Sequence, residues 1–224
     1  MRVAILIYDG VTALDAIGPY ETLALLPHAQ IQFVAKEKGP KRTDNGFLAL
    51  VADYSFADIS SADVLVVPGS ANSTRVVMSD EETLNWLREI HSTTKWTTSV
   101  CSGAIILAAA GLLNGLEATT HWFALDALQM FGAKPVRRRI VQQGKVITAA
   151  GVSAGLDMAL YLAAEIAGAE VAQMIQLIME YDPAPPFDSG SIGKATPAVV
   201  SSARQRMSKL MSRDSNVTSS AGRS

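Results

Sequence analysis

Unbroken apolar runs alternate along this chain with stretches whose apolar positions return every three or four residues. The first kind suits strands buried on both faces of a sheet, the second helices laid against one. Residues 3–8, 31–35, 63–67, 96–100 and 146–149 are runs of the first kind, with a further short strand expected at 118–120. Helical spacing marks 80–91, where Leu84, Leu87 and Ile90 share a face, and also 102–110, 121–131, 152–167, 170–180 and 198–211. The stretch 12–25 is helical too, but Gly18-Pro19 interrupts it. Proline suits a first helical turn, so the main helix is expected to start near Gly18, with Asp15 in a short piece before the break. Residues 36–44 read as a charged turn and 46–52 as a hairpin or edge strand. Residues 136–141 and 146–149 flank Gln143-Gly144, a hairpin turn, and the three arginines at 137–139 suit a solvated edge strand. Three prolines within 182–187 exclude regular structure there.

Strands alternating with helices predict an α/β fold: a flavodoxin-like, doubly wound, mostly parallel sheet with helices on both faces. No linker or repeat divides the chain, so residues 1–212 are expected to form one domain and 213–224 a disordered tail. At 224 residues the chain can build a core without staples. A net charge of −2 gives no reason to expect nucleic acid or an anionic membrane as partner. A single cysteine excludes an internal disulfide, and the first apolar run is too short for a signal peptide; a cytoplasmic protein is expected.

That cysteine, Cys101, falls between the strand at 96–100 and the helix at 102–110. A strand-to-helix corner exposes a side chain on a sharp turn beside helix N–H groups, which favour an anion. The thiol is therefore expected to ionise below the usual pKa of about 8.5 and to act as a nucleophile. The competing reading is a small buried hydrophobe. In a doubly wound sheet ligands bind at the carboxyl ends of strands. Pro68-Gly69-Ser70 ends another strand, and the N–H groups of Gly69 and Ser70 could cradle a developing anion. Asp15 and Glu21, just beyond the first strand, are the candidate acids. Gly151-Val152-Ser153-Ala154-Gly155 matches the serine-hydrolase elbow, but no histidine follows Ser153, so the order Ser, acid, His is impossible. There is no GxGxxG, P-loop, CxxC or HExxH, and the three histidines are far apart, so no metal site is expected.

These residues carry a resemblance to the DJ-1/PfpI superfamily, and within it to the isocyanide hydratase branch. It runs from Leu14-Asp15-Ala16-Ile17-Gly18-Pro19 through Val67-Pro68-Gly69, Ser99-Val100-Cys101-Ser102-Gly103 and Ala118-Thr119-Thr120-His121-Trp122 to Glu180-Tyr181-Asp182-Pro183-Ala184-Pro185-Pro186-Phe187. The resemblance implies that Cys101 is the nucleophile, Asp15 the acid/base, and that Ser102 supports the thiolate through its hydroxyl and amide. It further implies a small-molecule isocyanide substrate, no cofactor and a homodimer. Where the protease-like branch has a histidine after the cysteine, this chain has Ser102; the hydratases carry threonine there, and serine keeps the hydroxyl. They also read Pro-Gly-Gly where this chain has Pro-Gly-Ser. The implied reaction adds water to R–N≡C to give an N-substituted formamide. Glyoxalase-like or stress-response chemistry and a cysteine-based redox or ligand sensor are the alternatives. Residues 182–187 are a candidate brace for the site or the subunit interface, or else a rigid surface loop.

Overall fold

The computed structural model describes residues 1–211; the tail expected to be disordered lies outside the described residues. The elements, in chain order, are β1 (Arg2–Leu6), α1 (Ala13–Leu23), β2 (Gln30–Ala35), β3 (Gly39–Arg42), β4 (Ala49–Ala52), β5 (Tyr54–Ser55) and β6 (Val64–Val67). Next come α2 (Thr74–Val77), α3 (Glu81–Thr93), β7 (Trp96–Ser99), α4 (Gly103–Ala109), β8 (Glu117–Ala118), a 3-10 segment (Trp122–Phe131) and β9 (Lys134–Pro135). Then follow β10 (Ile140–Gln143), β11 (Val146–Ala149), α5 (Ala154–Ala167), α6 (Ala169–Ile178) and α7 (Pro197–Met211).

Seven strands form the central sheet in the order β10-β11-β7-β6-β1-β2-β5. All neighbours pair in parallel except the β10–β11 hairpin at one edge. This is the doubly wound, flavodoxin-like arrangement the alternation predicts. Period-2 side chains divide β1 between two cores. Ala4 and Leu6 pack with Leu84, Leu87 and Ile90 of α3 and with Ile106 of α4. Val3 and Ile5 pack on the opposite face with Leu23 of α1, Met158 and Leu162 of α5 and Ile175 of α6. The central strands are thus buried on both sides, as their unbroken apolar sequences require.

Three local readings change. The helix expected to begin at Gly18 instead starts at Ala13 and runs straight through Pro19, so Asp15 belongs to its first turn. Packing overrides the proline signal: α1 lies on α5, where a Cβ on Gly155 would sit 3.1 Å from Val100 and 3.5 Å from Pro19, and Gly18 faces Leu156. The charged turn at 36–44 contains β3, which pairs with β4 as a separate two-stranded sheet. The edge strand begins at Ile140, not at 136. Residues 134–136 are drawn off by β8, with the Val136 N–H donating to the Ala118 carbonyl, and the arginines precede the strand. No helix among the described residues is long and apolar enough to cross a membrane.

Candidate active site

Three loops meet where β1, β6 and β7 end. Cys101 follows β7 and has φ 57, in the left-handed region that a side chain rarely occupies. Such a residue costs of order 1–3 kcal/mol and persists only if its surroundings fix it. Here both its peptide groups are held: its N–H donates to the Ala150 carbonyl at 2.8 Å, and its carbonyl accepts from Thr120 Oγ1 at 2.6 Å. Gly103 completes the corner because a Cβ there would overlap the Val67 carbonyl, and Gly69 because a Cβ would lie 2.5 Å from both N and Oγ of Ser102. The β6 loop and the β7 elbow therefore interlock.

Asp15 is fully buried, and the Gly69 N–H donates to its Oδ2 at 3.0 Å. Its Oδ1 is buried with no partner in hydrogen-bond geometry, although the carboxyl and the Cys101 thiol are near enough to shift one another's protonation. Burial pushes Asp15 up from an ordinary 3.8 to about 7, against the pull of the Gly69 N–H and the thiol. The thiol does not behave as its sequence position suggests. Burial first, then the negative charge of Asp15, push Cys101 well above its ordinary value, while N–H groups of Ser102 and Val152 donate to the sulfur and oppose them. The expectation of a depressed thiol pKa is thus corrected: α4 is only seven residues long, and desolvation outweighs its amides. Tyr8 is raised by the same burial and by Asp15, and its hydroxyl donates to the Pro68 carbonyl at 2.9 Å.

The N–H groups expected to cradle an anion are both hydrogen-bonded within the protein. The Gly69 N–H is engaged by Asp15, and the Ser70 N–H donates to Ser102 Oγ at 3.0 Å. Ser102 Oγ also meets the Ser70 carbonyl at 3.0 Å and Thr74 Oγ1 at 2.7 Å. Its hydroxyl is thus occupied in tying the elbow to the β6 loop, and only its backbone N–H acts on the sulfur. The Ser70 hydroxyl donates to the Gly10 carbonyl at 2.6 Å and accepts from the N–H of Ser73 at 2.7 Å, pinning the β1 loop as well. Glu21, the other candidate acid, lies exposed on α1, away from this cluster.

A cavity of about 240 Å³ opens over Cys101. Thr12, Asp44 and Asn72 form a polar side; Ile105, Phe123, Ala124 and Ala127 form an apolar one, to which α7 adds Met207 and Met211. His121 and Val152 separate it from a second cavity near the arginines at 137–139. Burial lowers the pKa of His121, and its Nδ1 accepts from the Phe123 N–H, which puts the proton of the neutral ring on Nε2.

A cysteine on a strained elbow, facing a carboxyl from the first helix of a doubly wound fold, is matched by the DJ-1/PfpI family model over residues 1–165. The chain belongs to the DJ-1/PfpI family. As a DJ-1/PfpI protein it is 42% identical over 221 residues to an isonitrile hydratase of Pseudomonas putida, covering 99% of this chain and 96% of that one. A crystal structure of a ThiJ/PfpI family protein from Pseudomonas syringae superimposes with a TM-score of 0.90 at 40% identity, covering 94% of this chain and 87% of that one. Drosophila melanogaster DJ-1beta shares the fold alone, at TM-score 0.72 and 18% identity over 80% of this chain and 97% of its own.

Sequence reasoning passed over Val152, whose N–H reaches the sulfur. The signal was present: the Gly-x-Ser-x-Gly stretch follows β11, the parallel neighbour of β7, and so opens beside the elbow. Ser153 itself accepts from Arg139 at 3.3 Å and makes no cap bond. Residues 182–187 are exposed and line neither cavity of the elbow. The C-terminal segment is fastened just before them, where the Tyr181 hydroxyl donates to Asp157 at 2.7 Å and Asp157 pairs with Arg139.

Proposed function

We propose that this DJ-1/PfpI protein is an isocyanide hydratase, with Cys101 as nucleophile and Asp15 as acid/base. The observation that carries the reading is the buried Asp15–Cys101 pair, in which a carboxyl near pKa 7 lies beside a thiol held protonated by burial. A general acid/base works best when its pKa lies near the working pH. The close relative named an isonitrile hydratase supports the reaction class.

The terminal carbon of R–N≡C is electrophilic and becomes basic once sulfur adds to it. Asp15 accepts the thiol proton as the sulfur attacks and delivers it to that carbon, giving the thioimidate R–N=CH–S–Cys101. Water then adds to the same carbon, yielding its proton to the Asp15 carboxylate. The C–S bond breaks, a proton goes to nitrogen, and R–NH–CHO leaves with the thiol restored. The thiol proton thus ends on the formyl carbon and water supplies the one that restores the thiol, with Asp15 relaying both, and the N–H groups of Ser102 and Val152 hold the sulfur whenever it is anionic. The Ser102 hydroxyl and Ser70 maintain the geometry rather than touch the reacting atoms, and Gly69 orients Asp15. A redox sensor wants a low-pKa, exposed thiol; Cys101 is 6% exposed and its pKa is raised, which favours catalysis.

The test is formamide production from a panel of alkyl and aryl isocyanides, with methylglyoxal assayed beside them. Turnover of at least one isocyanide, abolished in Cys101→Ser with the fold retained, is the expected result. Methylglyoxal conversion without isocyanide turnover would replace this reading with the glyoxalase-like one.

A further inference from the structure

The C-terminal helix α7 is attached in an unusual way. None of its residues is buried, and an irregular segment from 179 to 196 separates it from α6. Isolated helices of about 15 residues are marginal in water, so what α7 touches keeps it in place. One tether is Arg204, whose guanidinium lies 5.2 Å from the ring centroid of Trp122. Trp122 opens the 3-10 segment that supplies Phe123, Ala124 and Ala127 to the Cys101 cavity, and α7 supplies Met207 and Met211 to the same cavity. Met211 remains 38% exposed there. Two thioethers thus border a space over the nucleophile, Met207 half-buried and Met211 exposed.

We propose that α7 is an adaptable wall of this cavity, and that Met207 and Met211 are specificity-determining residues that select the size of an apolar group on the substrate nitrogen. The identity of the reacting group rests on the hydratase reading; the wall does not. An isocyanide has no hydrogen-bond donor, and its terminal carbon must sit at the Cys101 sulfur, so its nitrogen substituent points outward. The apolar surfaces that can receive it include Ile105, Phe123, Ala124, Ala127 and the two methionines. Methionine, unbranched and with three rotatable bonds, fills irregular gaps and adapts to shapes that rigid side chains reject. A wall carried on a lightly tethered helix can also shift as a unit, with Arg204 over Trp122 as its pivot.

Met207→Ala, Met207→Trp and Met211→Ala, made in the full chain, test this with two reagents. The first is a series of n-alkyl isocyanides from three to eight carbons, read as kcat/KM. The second is the rate at which N-methylmaleimide and N-cyclohexylmaleimide label Cys101, read by mass spectrometry, which requires no turnover. Each alanine variant is expected to raise the preference for the larger member in both series, by about tenfold, the scale of one or two methylenes in an apolar pocket. Met207→Trp is expected to lower it. Because no residue of α7 is buried, all three variants should melt with the wild type. Isocyanide turnover with size preference unchanged within twofold in every variant would overturn the wall and leave the hydratase standing. A shifted maleimide preference without isocyanide turnover would establish the wall and remove the hydratase.

Discussion

Asp15→Asn separates the two burdens placed on the buried carboxyl, because it keeps the shape and removes the titrating proton. In the wild type, burial lifts Asp15 from 3.8 to about 7. The folded-state value exceeds the unfolded one, so the stability contributed by the protonated form is complete below about pH 4 and is lost as pH rises to about 7. Between pH 5 and 8.5 the loss covers about two pH units at full slope, on the order of 3 kcal/mol. The asparagine loses none of this. Its own cost, an amide donor facing the space beside Oδ1, is about 1–3 kcal/mol and does not vary with pH. Differential scanning calorimetry should therefore show the Tm of Asp15→Asn rising relative to wild type by roughly 5–10 °C between pH 5 and 8.5. The thiol reports independently. Removing the charge of Asp15 lowers the Cys101 pKa, so iodoacetamide should label the variant faster at pH 7.5 than the wild type. Isocyanide turnover should fall by about 10²–10⁴-fold, because the substrate carbon has lost its acid. A Tm difference flat in pH, together with slower labelling, would refute the near-neutral carboxyl and its coupling to the thiol.

Two further expectations follow from other contacts. Ser102→Ala leaves the Ser70 N–H and carbonyl without their shared partner and should cost about 1–3 kcal/mol in urea unfolding, with Ser102→Thr restoring most of it. The exposed apolar side chains of Leu177, Ile178 and Phe187, at 80%, 60% and 79%, are best explained by a second copy of the chain; analytical ultracentrifugation should give a homodimer at micromolar concentration, and a monomer there would remove that proposal.

The sheet was legible in the sequence because burial on both faces leaves unbroken apolar runs, and Val64–Val67 is such a run from end to end. The corner at Cys101 was legible because a strand-forming run ends there and a glycine-bearing helix follows. The acidity of Cys101 was not, since desolvation depends on what surrounds the thiol in three dimensions. Pro19 misled because local propensity cannot register α5 lying alongside α1. The roles of Gly69 and Ser70 were half visible: glycine announced a close approach, but only the structure shows that what approaches is Ser102.

The supports of the nucleophile are spread over sequence in a way that bears on synthesis. Cys101 is held by Ala150 and its sulfur by Val152, which are synthesised 49 and 51 residues later. At about 5–20 residues per second that is an interval of roughly 3–10 s in which β7 has no β11 beside it. Until those residues arrive the sulfur lacks the Val152 N–H, and the burial that holds its proton is incomplete. The low acidity of the Cys101 thiol is therefore a property of the completed sheet and its covering elements, acquired only when β11 joins β7.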